Sequence, residues 1–297
     1  KLSTNLVFER AGFLNCSPVT FVCFDEAHKI SEWQGFRSVF RRLGKISSSL
    51  ETWPSPNYRI LCLSATASPK TRKYIRESVH FRGTNEKIWP VRRKNMFLSV
   101  HCENYKNGKS LPKSKKIVPV IEALQRDECV IIFVNSREKA DELSKHISAK
   151  VRGIVGSEKV GCYHSGLEQG LRNHCLLWFQ RGILKERSQP HFRVMVATIS
   201  FGLGIDVRGG LRCCVIWDSP SSLSDLIQQA NRAGRDGRFF ETHVFLCWGQ
   251  RLAHRQKTGQ ALRTATCEGD TERVKQLHIE LEDQDRVFEM ALSTTCC

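Results

Sequence analysis

Short unbroken apolar runs alternate along this chain with stretches whose apolar residues recur at helical spacing. The first run, Val19 to Phe24, ends in two acids. It predicts a buried parallel strand that delivers Asp25 at its C-terminal end. A second run, Ile60 to Leu63, ends at Ser64. A helix is expected after it, with Pro69 in its first turn and Tyr74, Ile75 and Val79 on one face. The stretch from Asn104 to Lys116 is polar and lysine-rich and contains Gly108 and Pro112, as a loop near a domain boundary would be. Beyond it the pattern predicts strands at 129–134, 160–163, 194–197, 213–217 and 244–247. Helices are expected at 137–149, 168–181 and 222–233. Alternating strands and helices imply an α/β fold with a parallel sheet covered on both faces, and ligands gather at the C-terminal strand ends of such sheets. After Gly249 the chain is polar, with Val274, Leu277, Leu281, Val287 and Leu292 near helical spacing, so a short helical tail is expected. No internal repeat is visible.

Composition narrows the function classes. With 297 residues the chain has room for two domains, and 40% apolar with 26% charged residues is ordinary for a folded protein. The charge is not ordinary: 46 Lys+Arg against 30 Asp+Glu give +16. That excess points to a polyanionic partner, nucleic acid first, while a merely solvated basic surface is the plainer reading. The 13 cysteines are odd in number and without repeated spacing, which fits free thiols in a reducing compartment. No apolar run approaches the roughly 18 residues a membrane helix needs, so no membrane partner is expected. The sequence starts at Lys1 with no signal peptide, and the expectation is that it begins inside a longer protein.

Four segments carry chemistry. In Asp25-Glu26-Ala27-His28, one carboxylate can hold magnesium and the next can orient or deprotonate a water attacking a phosphate. An acidic cap on the next helix fits these four residues equally well. Ser64-Ala65-Thr66-Ala67 is a hydroxyl-rich turn that can relay between sites, or simply a turn. Gln228 to Arg238 contains Arg232 and Arg235, three apart and so on one face if helical; two guanidinium groups with a common aim suit a triphosphate. Ala197 to Asp206 follows a strand, with Gly202 and Gly204 permitting close backbone approach and Asp206 able to bind a ribose hydroxyl, or is a plain turn.

Together these segments resemble superfamily 2 helicases, and more narrowly the RecQ family. Asp25 to His28 with Ile30-Ser31-Glu32-Trp33, Phe36-Arg37 and Phe40 looks like that family's second motif and aromatic-rich loop. Ser64 to Ala67, Phe133 to Arg137, Tyr163 to Leu167 with Arg172 and Phe179, Phe201 to Asp206, and Arg232 to Gly237 resemble its later motifs in order. DEAH-box RNA helicases share the acid segment but lack the Tyr-His-Ser-Gly-Leu and Phe-Gly-Leu-Gly-Ile-Asp segments.

The resemblance implies two RecA-like parallel-sheet lobes, the first incomplete. Residues 1–92 would be the back part of the first lobe, 93–116 a linker, 117–250 the second lobe, and 251–297 the start of a helical, zinc-binding region. It implies ATP and Mg2+ as cofactors, with Asp25 on the metal, Glu26 on the water, and His28 linking the acid and arginine motifs. Gly204, Asp206, Gln228, Arg232 and Arg235 would contact the nucleotide, the two arginines by reaching across the cleft between the lobes. Ser64 and Thr66 would couple the sites. Trp33, Phe36, Arg37, Phe40, Ser136, Arg137 and Thr198 would contact single-stranded or forked DNA. Aromatic faces stack on bases and arginine contacts phosphate, which fits that role, while core packing is the alternative for the aromatics. A nuclear ATP-dependent 3′–5′ helicase acting in DNA repair and recombination is the implied parent. A degenerate binding module and an RNA helicase are the alternatives.

The sequence also departs from the family. Its single Gly-Lys-Ser triplet, Gly108-Lys109-Ser110, has Glu103 where a phosphate loop needs glycine, so the loop is expected upstream and the chain alone is expected to hydrolyse ATP poorly. Between Trp33 and Phe36 stand only Gln34-Gly35, where the family has Gly-His-Asp. Asn231 replaces a common Gly, and Gln229 a Glu. Cys296 and Cys297 could begin a zinc site only in a longer chain; Cys247 and Cys267 are isolated.

Overall fold

The computed structural model describes residues 21–30, 59–79, 85–89, 93–103, 117–122, 128–151, 160–184, 188, 190–202, 210–220 and 222–295. They belong to two units. Lys1–Trp89 with Gln260–Glu280 form one, and Pro90–Gly259 with Leu281–Cys297 the other.

In the first unit, β1 (Phe21–Phe24) and β2 (Arg59–Cys62) pair in parallel, Phe21 opposite Arg59 and Phe24 opposite Cys62. The parallel pairing is as expected, but the burial is not: both strands alternate between exposed and half-buried residues. Phe21 and Cys23 pair with Arg59 and Leu61, so the exposed residues share one face and the half-buried ones the other. Helix α1 (Pro69–Ser78) starts as its sequence dictates. Ser68 caps it by accepting the Thr71 N–H at 3.1 Å, and Pro69 sits in the first turn where no amide is needed. Its inner face, Tyr74, Ile75 and the following Val79, packs on Ala27 and Ile30 just beyond β1. Ile279 joins this cluster, and the Tyr74 hydroxyl donates to Glu272 Oε2 at 3.3 Å.

The second unit is built on β3 (Met96–Glu103), β4 (Cys129–Val134), β5 (Val160–Tyr163), β6 (Val194–Thr198), β7 (Leu211–Ile216) and β8 (Phe240–Cys247). All pair in parallel, in the order β3-β8-β7-β4-β6-β5. The central strands alternate cleanly between two cores. Ile131, Phe133, Ala197, Ile216 and Val244 face α3 (Gln169–Leu184) and α4 (Leu223–Ala230), which contribute Phe179, Ile183, Leu226 and Ala230. Val130, Ile132, Val134, Val196 and Val215 face α2 (Arg137–Lys150), with Ala140, Leu143 and Ile147, and a helical stretch over 117–122. Strands buried on both faces have to read as unbroken apolar runs, which is why they were legible.

Two expectations need correction. The linker expected from residue 93 contains a strand: Met96 to Glu103 pairs along its whole length with β8. Met96, Leu98 and Val100 alternate inward against the core while Phe97 is exposed, a period of two that the surrounding basic residues obscure. The tail is helical, as expected, but it is not a separate region. Helix α5 (Trp248–Cys267) and helix α6 (Thr271–Thr295) meet at Gly269, φ +69°, and residues 260–280 belong to the first unit. Among the described residues no helix is long and apolar enough to cross a membrane.

Candidate functional site

The acid segment forms a tight turn at the end of β1. Leu63 N–H donates to Phe24 O at 2.9 Å and Ala27 N–H donates to Leu63 O at 2.8 Å, so the turn is laced to the end of β2. This holds Glu26 at φ +50°, a left-handed backbone that a residue with a Cβ adopts only at a cost of about 1–2 kcal/mol. Asp25 Oδ1 accepts the Glu26 N–H at 2.8 Å, and both carboxylates are exposed. His28, next along, is buried at 1% exposure. Its Nδ1 lies 2.9 Å from Ser64 Oγ and 3.3 Å from Glu26 Oε2. Ser64 Oγ also accepts the Thr66 N–H at 3.2 Å. One imidazole therefore joins the acid segment to the hydroxyl-rich segment. Burial, and then the neighbouring Lys29, hold the His28 pKa at about 4 against the opposing pull of Asp25, so the ring is neutral at physiological pH.

The arginine segment differs from its expected form. Helix α4 stops at Ala230, so Arg232 and Arg235 lie on a loop and not on one helix face. The loop turns at Gly234 (φ +60°) and Gly237 (φ +81°). Gly234 is obligatory on two counts, since a Cβ there would also stand 2.1 Å from Phe240 Cδ1. Its N–H donates to Leu211 O at 3.0 Å. Arg212 on β7 donates from both terminal nitrogens to the two Asp236 carboxylate oxygens, at 2.8 and 2.5 Å, and this pairing holds the Asp236 carboxyl below its ordinary pKa. From the segment before β3, Arg93 donates to the Ala233 carbonyl at 2.9 Å and to the Gly234 carbonyl, while Asn95 Nδ2 reaches the carbonyls of Gly234 and Arg238 at 3.0 and 2.6 Å. Arg232 is half-buried and Arg235 exposed. Gln228 lies half-buried on α4, one turn before Arg232.

Ser136, Arg137 and Thr198 are brought together at the C-terminal ends of neighbouring strands, Val134 pairing with Thr198 in the β4–β6 ladder. Ser136 also caps α2 by accepting the Lys139 N–H at 3.2 Å, and Thr198 Oγ1 lies 2.8 Å from Ser200 Oγ. Asp218, 2% exposed, ties this edge to the end of β7: it accepts the Asn135 N–H at 3.0 Å and pairs with Lys139 Nζ at 2.9 Å. Sequence reasoning missed Arg93, Asn95, Arg212 and Asp218, whose roles depend on partners far along the chain. Trp33, Phe36, Arg37, Phe40, Gly204 and Asp206 lie outside the described residues.

One cluster has the residue types of a metal site. Asp141, Cys162 and His164 place their donor atoms within 4.8 Å of one another. The Gly166 N–H donates to His164 Nδ1 at 3.2 Å, which leaves Nε2 to donate to Asp141 Oδ1 at 3.2 Å. Burial pushes the Cys162 thiol up to about 12, and it donates to the same oxygen at 3.5 Å. Ordinary hydrogen bonds thus use both ring nitrogens and the thiol proton, and the cluster ties α2 to β5.

Comparison with known proteins agrees with this division. The DEAD/DEAH box helicase family matches residues 2–74, and the helicase conserved C-terminal domain matches residues 113–237. The ATP-dependent DNA helicase RecQ of Haemophilus influenzae is 30% identical over 246 residues, covering 82% of this chain and 35% of the relative. The chain belongs to the RecQ family of superfamily 2 helicases. RecQ of Bacillus subtilis is 31% identical over 221 residues, covering 74% of this chain and 33% of its own length. The chain thus spans about a third of these curated RecQ relatives. The structure of Mycobacterium smegmatis helicase Lhr, bound to ssDNA and AMP-PNP, aligns at a TM-score of 0.53 and 22% identity over 77% of this chain and 28% of that one, which supports the RecA-like α/β fold. The DEAD/DEAH match falls within the first unit, which holds the acid turn, and the C-terminal-domain match within the second, which holds the arginine loop.

Proposed function

We propose that this chain is the part of an ATP-dependent DNA helicase that carries its water-activating acids, its arginine loop and part of its DNA track. The observation that carries this reading is the acid turn: Glu26 is held in a left-handed backbone conformation and joined through buried, neutral His28 to Ser64. Strain of this kind persists where surrounding bonds enforce it, and it gathers at working sites. Asp25, an exposed hard-oxygen donor at a strand end, fits Mg2+ and would hold it. Bound there, the ion would neutralise phosphate charge as the bond breaks. Glu26 orients the attacking water and takes its proton. His28 stays uncharged between carboxylate and hydroxyl, so a shift of Glu26 reaches Ser64 and Thr66 as a change in hydrogen bonding, with no proton gained or lost. Arg232 and Arg235 place positive charge on the phosphates. Ser136, Arg137 and Thr198, gathered at adjoining strand ends, contact the backbone of single-stranded DNA along which the protein moves 3′ to 5′ to open forks. The free thiols among the described cysteines support a reducing, intracellular setting, and we read that setting as the nucleus. The 297-residue chain, which carries no Gly-Lys-Ser/Thr loop of the required spacing, turns over little ATP by itself.

The test is Glu26→Gln in the full-length protein. Retained ATP binding with DNA-stimulated turnover reduced by about 100-fold or more is expected; turnover near wild type would remove Glu26 from this role. Running the assay with single-stranded DNA and with RNA separates a DNA motor from an RNA motor, because the 2′-hydroxyl distinguishes the two.

A further inference from the structure

We propose that Arg93 and Asn95 are positioning residues that set the arginine loop for phosphate contact, an inference that rests on the function proposed above. The loop has no ladder of its own to fix its shape. Helix α4 has ended, two glycines turn the chain through left-handed conformations, and Arg232, Arg235 and Arg238 crowd like charges into seven residues. Arg212 and the Leu211 carbonyl on β7 anchor Asp236 and the Gly234 N–H, and the remaining hold on the loop's carbonyls comes from the segment ahead of β3. The carbonyls of Ala233, Gly234 and Arg238 converge on two side chains, the Arg93 guanidinium and the Asn95 carboxamide. A planar fork with donors on both terminal nitrogens suits two successive carbonyls, which an ammonium group cannot match. The backbone closes the same joint, with the Phe240 N–H donating to Asn95 O at 3.0 Å, and the Arg93 guanidinium lies over the Phe240 ring at 5.1 Å. Phe240 is also the ring that Gly234 approaches too closely for any Cβ.

These contacts separate positioning from direct catalysis. Both terminal nitrogens of Arg93 donate to loop carbonyls, so Arg93 acts on a phosphate through the loop it holds. It does so against an electrostatic cost: burial and then Arg235 press against its charge, and Asp236 offsets them. Arg235 is exposed, and its Nε donates back to the Asn231 carbonyl at 3.5 Å, within the same loop. Its direction therefore follows from backbone that Arg93 and Asn95 hold.

The experiment measures single-stranded-DNA-stimulated ATP turnover of the full-length protein carrying Arg93→Ala, Arg93→Lys, Asn95→Ala, Arg235→Ala, or Arg93→Ala with Arg235→Ala. A loop displaced by about 1 Å loses contacts made only in the transition state, so kcat should fall about tenfold to hundredfold in Arg93→Ala while KM for ATP changes little. Arg93→Lys, which keeps charge and bulk but not the fork, should recover part of the loss. The double variant should be slower than Arg235→Ala by clearly less than the loss in Arg93→Ala alone, because part of the Arg93 effect passes through Arg235 and the rest through Arg232. Wild-type kcat in Arg93→Ala, or losses that multiply in the double variant, would overturn the proposal. Should Arg93→Ala fail to melt cooperatively, Arg93→Lys and Asn95→Ala carry the same comparison. Wild-type turnover in Arg235→Ala is a different failure, since it removes the phosphate-binding role on which this inference rests.

Discussion

At the residue scale, His28 shows how a buried imidazole can couple two segments without carrying charge. Its pKa falls from 6.5 to about 4, burial being the main cause. The folded state therefore resists protonation that the unfolded chain accepts. Between pH 6.5 and 4 the unfolded state binds the extra proton, so stability rises with pH across that window and is fully present above it. The expected loss on acidification from pH 7 to 4 is at most about 3 kcal/mol from this group. Chemical denaturation at about pH 4.5 and about pH 7 measures it, and His28→Asn should flatten the difference attributable to the first unit. An unchanged pH slope in that variant would show that the ring does not report this burial. Glu26 was legible as a candidate because it sits beside Asp25 in sequence. Its left-handed backbone was not legible, because it follows from hydrogen bonds to Leu63, which lies just past another strand.

At the element scale, strand ends are tied by side chains that local pattern cannot reveal. Asp218 is nearly fully buried and satisfies both the Asn135 amide and the Lys139 ammonium. Asp218→Ala strands a backbone donor and frees the end of β4. The second unit should lose about 1–3 kcal/mol, since Lys139 is itself well exposed and its share is screened. Weaker contact of the full-length protein with single-stranded DNA should accompany the loss, because Ser136 and Arg137 follow directly on Asn135. Thermal melts and fluorescence anisotropy check the two parts, and an unaltered melting temperature would discount the tie. The same long-range dependence explains the misread elements. Strands β4, β6 and β7 announce themselves because both faces are buried. Strand β3 sits at the sheet edge with Phe97 exposed, and its alternation is lost among basic neighbours. Arg232 and Arg235 have the spacing of a helix face, but Gly234 turns left-handed toward Leu211 O, a partner on β7 far earlier in the chain.

At the scale of the whole molecule, charge and connectivity set what the chain can do. The excess of 16 positive charges predicts DNA binding that weakens steeply with salt. Binding isotherms from low to high ionic strength should give a clearly negative slope of log K against log salt, and a flat line would argue against phosphate contact. Motif order set the acid and arginine segments in different parts of the chain, but the return of residues 260–280 to the first unit was not legible, because a polar helix gives no sign of which surface it will cover. That return has a consequence for biosynthesis. The chain leaves the first unit at residues 89–90, rejoins it at 259–260 and leaves again at 280–281. Tyr74 and its apolar neighbours emerge from the ribosome long before Glu272 and Ile279, which complete their surroundings. During translation the first unit therefore waits, with part of its core uncovered, while the whole of the second unit's sheet is made, and that interval is when a nascent chain of this design most needs a chaperone.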